Sequence, residues 1–404
     1  MTMKTIQFPK LTFWRGVIAV IMLLGIYSTG YRFIKGLGAS TALSDQFPWG
    51  LWIGFDVLCG VGLAAGGFTI TAAVYIFNMK KYKPIIRPTV LTAFLGYILV
   101  STALLYDLGK PYNIWHPLVM WNPHSVMFEV AWCVMLYSTV LALEFLPIVF
   151  EKFNMERPSR ILRKISIPLV ITGFLLSTLH QSSLGTLFLI VPEKLNGLWY
   201  SPILPLFFFV SAIAAGLSMV IFESFLSNRF FRKELEIDLL EGISRVIVVV
   251  LGCYFVLKIL DITHRGVLPL LLVPGMERSL FLAEIFIGVI IPFILFAMPK
   301  VRINKKGLFI SAFMVVIGFV MNRMNVSITG MAASSGVDYF PTWMEISITA
   351  FIVAIGFVVF ALAVKYLTIF QPAKSEESTE KFEEYTTEFL QDETAGTIAS
   401  YPKV

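Results

Sequence analysis

The chain has 404 residues, of which 57% are apolar and 14% charged, with a formal net charge of +6 and a mean hydropathy of +0.79. Soluble domains run about 45–50% apolar and about 25% charged, so a single water-soluble core cannot hide this much apolar surface. A soluble enzyme, a disordered chain, a disulfide scaffold and a nucleic-acid binder are excluded, which leaves a polytopic membrane protein.

A helix needs about 20 apolar residues to cross a bilayer. Ten stretches qualify, at about 13–34, 49–78, 88–108, 124–150, 165–191, 201–227, 238–261, 279–299, 307–329 and 343–367. They predict an all-α protein of ten transmembrane helices, numbered here 1 to 10, with no strand alternation of the barrel type. Lys4, Lys10 and Arg15 precede the first stretch, but its length and the lack of a small-x-small site after it predict a retained helix rather than a signal peptide.

Loop charges orient the chain. Sixteen Lys/Arg fall in the loops at 79–87, 151–164, 228–238 and 300–306, against five in the opposite loops (Lys35, Lys110, Lys194, Arg265, Arg278). The positive-inside rule places the first set, and with it both termini, in the cytoplasm of a bacterial or archaeal cytoplasmic membrane. Residues 1–370 form the membrane domain. Residues 371–404 hold eight acidic residues between Glu376 and Glu393 and read as a mobile cytoplasmic tail.

Ionisable groups in a membrane cost about 2.5–3.5 kcal/mol each on insertion scales, so they mark candidate sites. At about 1.5 Å per residue, Asp56 lies a few turns inside the outer end of helix 2, Glu129 at similar depth in helix 4, and His180 towards the middle of helix 5. Glu284, Glu345 and Arg323 lie near outer helix ends, and His116, His124 and His264 are also on the outer side. Lys258, Asp261, Glu345 and Glu144 read as interfacial decoration. Asp56, Glu129 and His180 lie too deep to snorkel. The inner side offers only Glu144, Glu223 and the i,i+4 pair Glu241/Arg245.

Helical phase sharpens this. Asp56, Gly60, Ala64 and Gly67 share a small-residue face suited to close packing. Gly173, Ser177, His180 and Ser183 form a polar face on helix 5, with Gln181 adjacent, and Asn322, Asn325 and Thr329 form one on helix 9, with Arg323 beside Ser327. Such faces point into a bundle. The Trp- and Pro-rich segment from Asp107 to His124 reads equally as an interfacial belt or a binding lid.

Buried carboxylates and an imidazole suit proton-coupled redox chemistry of a lipophilic quinone, whose two oxygens need donors when oxidised and acceptors when reduced. No residue here carries electrons, so a partner must supply them. Cys59, Cys133 and Cys253 stand alone in apolar runs and read as small buried residues, too few for an iron–sulfur cluster. One deep histidine is short of bis-histidine haem ligation, and no metal site is expected. A proton- or ion-coupled secondary transporter is the alternative, disfavoured because no paired broken segments stand out. A purely structural anchor leaves the buried charges unexplained.

Several long motifs occur in order: Pro48-Trp-Gly-Leu-Trp-Ile-Gly-Phe-Asp56, Gly62-Leu-Ala-Ala-Gly-Gly67, Asp107-Leu-Gly-Lys-Pro111, Trp121-Asn-Pro-His-Ser-Val-Met-Phe-Glu129, Ser177-Thr-Leu-His-Gln-Ser-Ser-Leu-Gly185 and Asn322-Arg-Met-Asn-Val-Ser-Ile-Thr-Gly330. They resemble the NrfD/PsrC family of polysulfide-reductase membrane subunits over about residues 10–370, closest to its ten-helix branch with the Hyb-type hydrogenase and DsrP subunits. The resemblance implies a cofactor-free chain of two four-helix bundles, helices 2–5 and 6–9, flanked by helices 1 and 10. It implies a menaquinone or menaquinol site near the outer face of the first bundle. There a ferredoxin-like iron–sulfur subunit would dock, with hydrogenase, cytochrome c or heterodisulfide-reductase-like modules beyond it. On this reading His180 bonds a quinone oxygen and Glu129 and Asp56 relay protons. His124, Ser177, Gln181, Ser183 and Arg323 line the site. Glu144, Glu223, Glu241 and Arg245 are candidates for an inner proton path.

Overall fold

The computed structural model describes residues 13–370, and the acidic tail at 371–404 lies outside the described residues. Among the described residues the regular structure is entirely helical. In a bilayer only helices and closed barrels satisfy their own backbone groups, which is why so apolar a chain takes this form.

Ten helices are long and apolar enough to span: α1 (Phe13–Lys35), α2 (Trp52–Tyr75), α3 (Lys80–Asp107), α4 (Val126–Lys152), α5 (Ser166–Thr186), α6 (Leu204–Phe231), α7 (Ile237–His264), α8 (Met276–Ala297), α9 (Lys305–Ser335) and α10 (Trp343–Tyr366). They coincide with the ten predicted stretches. Local chemistry sets several ends. Ser125 caps α4 by accepting Phe128 N–H, Asn304 caps α9 through Lys306 and Gly307 N–H, and Thr342 with Glu345 forms a capping box on α10.

α2 and α4 each pack against both α3 and α5, while α6 and α8 each pack against both α7 and α9. α6 touches α2 and α5, α9 touches α2, and α1 lies along α10, which rests on α3. The small-residue face of α2 meets α3 as its phase predicts. A Cβ on Gly67 would come within 2.4 Å of Ala93 Cβ, one on Gly60 within 2.7 Å of Val100, and one on Gly96 within 2.8 Å of Ala64 Cβ. Backbones come closer still between the two sets. A Cβ on Gly216 of α6 would sit 2.3 Å from Gly66 N.

Three helices are interrupted by π-helical turns, at Trp52–Cys59 in α2, Phe286–Ile290 in α8 and Asn325–Thr329 in α9. Such bulges are uncommon and cluster at functional sites. Here they hold Asp56, begin two residues after Glu284, and begin at Asn325.

Candidate functional site

The lining of α4 and α5 contains a polar seam. On α4, Glu129, Cys133 and Tyr137 recur at i, i+4 and i+8, and Glu144 stands two turns further along at i+15. On α5, Ser183, His180, Ser177 and Gly173 face them. Ser183 Oγ–H reaches Glu129 Oε1 at 2.6 Å. At the other end a Cβ on Gly173 would lie 3.5 Å from the Tyr137 ring and 3.6 Å from Glu144 Oε1. The seam from Glu129 to Glu144 covers about 22 Å of helix axis.

At its centre His180 is fully buried, with its ring centroid 5.6 Å from that of Tyr97, which stacks edge-on against Tyr137 at 4.6 Å. Ser177 lies beside both phenols, and Gln181 beside Tyr97. Gln181 Nε2–H donates to Val61 O of α2 (3.0 Å), which fixes its amide. Both His180 nitrogens, Gln181 Oε1, Ser177 Oγ and the Tyr97 and Tyr137 hydroxyls are buried and make no hydrogen bond with described residues. An unsatisfied buried polar group costs about 1–3 kcal/mol, and natural proteins keep few of them. So many within one seam is not what packing alone selects.

The structure thus brings together His180, Ser177 and Gln181, with the Glu129–Ser183 pair one turn away on α5. Tyr97 and Tyr137 are members that sequence reading missed. They sit in apolar runs where an aromatic residue looks like core, although the i+4 step from Cys133 to Tyr137 was a usable signal.

Other expected members lie elsewhere. Asp56 is buried, but it accepts Thr349 Oγ1–H of α10 at 2.7 Å. Glu129 is half-buried in the first turn of α4, shallower than expected. His124 is exposed in the preceding loop and outside the buried cluster. Arg323 belongs to the second set of helices. It donates to Phe208 O (3.1 Å), Ser211 Oγ (2.9 Å) and Asn322 Oδ1 (2.7 Å), and its guanidinium lies 3.6 Å from the Phe208 ring centroid.

Four side chains expected as interfacial decoration are corrected. Lys258 (3% exposed), Asp261 and Glu345 are buried by protein atoms, and Glu144 is half-buried on the seam. Glu345 holds the segment before α2 to α10, accepting N–H groups of Ala42 (2.7 Å) and Thr342 (3.2 Å) and the Tyr339 hydroxyl. That hydroxyl, in the loop before α10, is pushed above the usual phenol range by burial and by this bond. Cys253, expected buried, is exposed on α7, whereas Cys59 and Cys133 are buried.

Around Glu284 a second polar centre forms, with N–H bonds from Asn325 (2.6 Å), Trp199 (3.1 Å) and Asn322 (3.1 Å). Beside it runs a narrow cleft with room for about one water molecule, lined by Ser211, Tyr254, Glu284 and Asn322 with Gly288 and Gly318. Near the end with the basic loops, Glu223 accepts Thr92 Oγ1–H (2.7 Å) where α2, α3 and α6 pack together. Glu241 pairs with Arg245 (2.9 Å) and Arg302 (3.4 Å).

The Trp-rich segment folds onto the start of α4. Trp132 Nε1–H donates to Pro117 O (3.0 Å), and Trp121 packs on Trp132 with rings tilted by 45° and centroids 4.9 Å apart. Among the described residues no three His, Cys, Asp or Glu side chains gather as a metal site.

A protein of Nitratidesulfovibrio vulgaris is 42% identical over 83% of this chain and 89% of that one. The probable Ni/Fe-hydrogenase 2 b-type cytochrome subunit of Escherichia coli is 34% identical over 92% of this chain and 94% of that one. The menaquinone reductase integral membrane subunit of N. vulgaris is 27% identical over 90% and 93%. The family model described as polysulphide reductase, NrfD, matches residues 39–334, and the chain belongs to that family.

Proposed function

We propose that this chain is the quinone-reacting membrane subunit of a respiratory oxidoreductase complex, exchanging electrons between an iron–sulfur partner and menaquinone or menaquinol near the extracytoplasmic face. The observation that carries this reading is the set of unpartnered buried groups on His180, Tyr97, Tyr137, Ser177 and Gln181. The relative named as a menaquinone reductase subunit supports the substrate class. The relative named as a hydrogenase subunit supports membership of a larger redox complex.

A bound quinone supplies two-electron chemistry at a pair of ring oxygens, each exchanging one proton. The residues present fit that need. His180 has two free nitrogens, one a donor and one an acceptor when neutral. The Tyr97 and Tyr137 phenols donate or accept, and Gln181 Oε1 accepts. This set offers donors to a carbonyl in the oxidised state and acceptors to a hydroxyl in the reduced state. Glu129, half-buried at the opposite end from the basic loops, takes or gives the proton that the cluster exchanges, and Ser183 orients it. The Trp115–Trp121 segment folds onto the start of α4, the same end as Glu129, and a ferredoxin-like subunit would dock there.

Glu144 continues the seam towards the basic, cytoplasmic end and is the residue best placed to carry protons that way. Glu223 reaches the same end on α6, but Glu241 and Arg245 form an ion pair with Arg302 rather than a proton step. Asp56 on the α2–α10 contact would act at a distance from the head group, and Arg323 as a support for α6 against α9.

The test is titration of purified protein with a fluorescent quinoline N-oxide inhibitor. Wild type should quench it saturably. His180→Ala and Tyr97→Phe, checked for folding by elution and thermal unfolding, should each weaken binding at least about tenfold, the scale of one lost hydrogen bond to a polar head group. Unchanged binding in both variants would remove the cluster as the site. No saturable binding by wild type would sink the quinone reading and favour ion-coupled transport.

A further inference from the structure

Beyond its π-helical turn, α2 is irregular a second time, and the irregularity frees a carbonyl. In an unbroken α-helix Ala65 N–H would bond Val61 O, four residues back. Here Ala65 N–H bonds Gly62 O instead (3.1 Å), and Ala64 and Ala65 take ψ values of −10° and −16°, close to a 3₁₀ turn. The tightened turn lies where α2 meets α6 backbone to backbone. A Cβ on Gly216 would stand 2.3 Å from Gly66 N and 2.6 Å from Ala65 C. Val61 O is thereby left to a side chain, and Gln181 Nε2–H of α5 donates to it at 3.0 Å.

This bond decides which way the Gln181 amide faces. A primary amide has a donor end and an acceptor end, and a backbone carbonyl only accepts. The NH2 end therefore lies on Val61 and Oε1 lies on the other side. Gln181 is fully buried, and Oε1 is buried with no hydrogen-bond partner among the described residues. The other members of the cluster adapt to what they meet. The Ser177, Tyr97 and Tyr137 hydroxyls rotate, and neutral His180 carries its proton on either nitrogen. Of these five, Gln181 alone has a polarity set by the backbone. A tether between α5 and α2 needs only the Nε2 bond, so the unpartnered Oε1 is the part that tethering leaves unexplained.

An oxidised quinone presents carbonyl oxygens, which only accept. A quinol presents hydroxyls, which also donate. Oε1 against a carbonyl sets two acceptors against each other, and both lose their partner. Oε1 against a hydroxyl pairs both. The sign is the same when Tyr97, which lies beside Gln181, gives its hydroxyl hydrogen to Oε1, because the Tyr97 oxygen then presents lone pairs alone. Sites built to bond a substrate hydroxyl discriminate against the analogue lacking it, since their own buried groups are left unpaired.

We propose that Gln181 is a redox-state selector: its backbone-fixed Oε1 makes the cluster hold the hydroxyl-bearing quinol more tightly than the quinone. This rests on the quinone reading above and adds to it the state that the site favours. The selector is built from two elements, a Gly-rich turn of α2 that gives up a carbonyl and a glutamine of α5 that takes it.

The test compares two probes, 2,3-dimethyl-1,4-naphthoquinone and its hydroquinone, as competitors of the fluorescent quinoline N-oxide. The full-length protein is held in lipid nanodiscs without oxygen, with excess reductant for the hydroquinone. Wild type should bind the hydroquinone at least about tenfold more tightly, the scale of one hydrogen bond. Gln181→Met and Gln181→Leu keep bulk but lack the acceptor, and either one, once shown by thermal unfolding to be folded, suffices. The preference should fall to within about threefold, through loss of hydroquinone affinity while quinone affinity holds or rises. Equal binding of the two forms by wild type, or tighter binding of the quinone, overturns the proposal without any variant. So does a preference that survives in a folded variant. Loss of both forms in equal measure would make Gln181 a tether only and overturn it as well. Binding of neither form by wild type is a separate outcome, which sinks the quinone reading itself and this inference with it.

Discussion

Ser183 Oγ lies 2.6 Å from Glu129 Oε1 and 2.7 Å from Leu179 O, so its one hydroxyl hydrogen serves one of these oxygens at a time. An ionised Glu129 takes that hydrogen. A protonated Glu129 instead donates to Ser183, whose own hydrogen then turns to Leu179 O. The serine therefore accommodates both states of the carboxyl with no loss of hydrogen bonding, which suits a group that exchanges protons. Glu129→Gln keeps a bond to Ser183 but has no proton to exchange. Quinol-dependent turnover of the complex should fall by about 10²–10⁴-fold, the usual weight of a general acid–base group. Inhibitor affinity should change much less, and a variant that loses binding as much as turnover would assign Glu129 to head-group binding instead.

His180 is the one fully buried histidine among the described residues, while His124 and His264 are exposed and His116 half-buried. Bis-histidine haem needs two imidazoles facing one another. Although one relative bears the name of a b-type cytochrome subunit, the purified chain is expected to show no haem b bands in a reduced-minus-oxidised spectrum. A stoichiometric haem signal abolished by His180→Ala would refute this.

Glu345 is a structural clamp. It is 1% exposed and takes three donors from two segments far apart in sequence. Glu345→Ala leaves Ala42 N–H and the Tyr339 hydroxyl without their acceptor and should cost about 3 kcal/mol or more. Tyr339→Phe should cost about 1–2 kcal/mol. Thermal unfolding in detergent measures both, and the ordering of the two losses is the point to check.

Gly288 and Gly318 let α8 and α9 touch at the backbone. A Cβ on Gly318 would stand 1.9 Å from Gly288 Cα. Because the obstacle is backbone and not a side chain that can swing away, Gly318→Ala should lower stability by at least about 1–3 kcal/mol, the range for overpacking. Gly16 or Gly30 on α1, where an added Cβ meets nothing within 4 Å, should tolerate alanine and serve as controls.

Orientation is open to chemical labelling. Cysteines placed singly at Arg160 and Leu272, both in exposed connections, should react with a membrane-impermeant maleimide from opposite sides. Leu272→Cys should label in intact cells and Arg160→Cys only after lysis. The reverse pattern would overturn the cytoplasmic placement of the basic loops.

The ten spans, the polar faces of α5 and α9 and the packing face of α2 were legible in the sequence. The bilayer imposes a length of about 20 apolar residues, and a polar residue inside such a run must turn away from lipid. What tertiary structure decided was which polar residue meets which. Asp56 shares the deep helix 2 motif that suggests membership of the His180 site, yet Thr349, far along the chain, holds it to α10. Lys258, Asp261 and Glu345 stand at helix ends, where snorkelling to water looks sufficient, and only the packing of neighbouring helices shows them enclosed by protein. Tyr97 and Tyr137 were hidden for a related reason. Lipid is as apolar as a protein core, so a run that is apolar all round does not mark which of its aromatic rings face lipid and which face another helix.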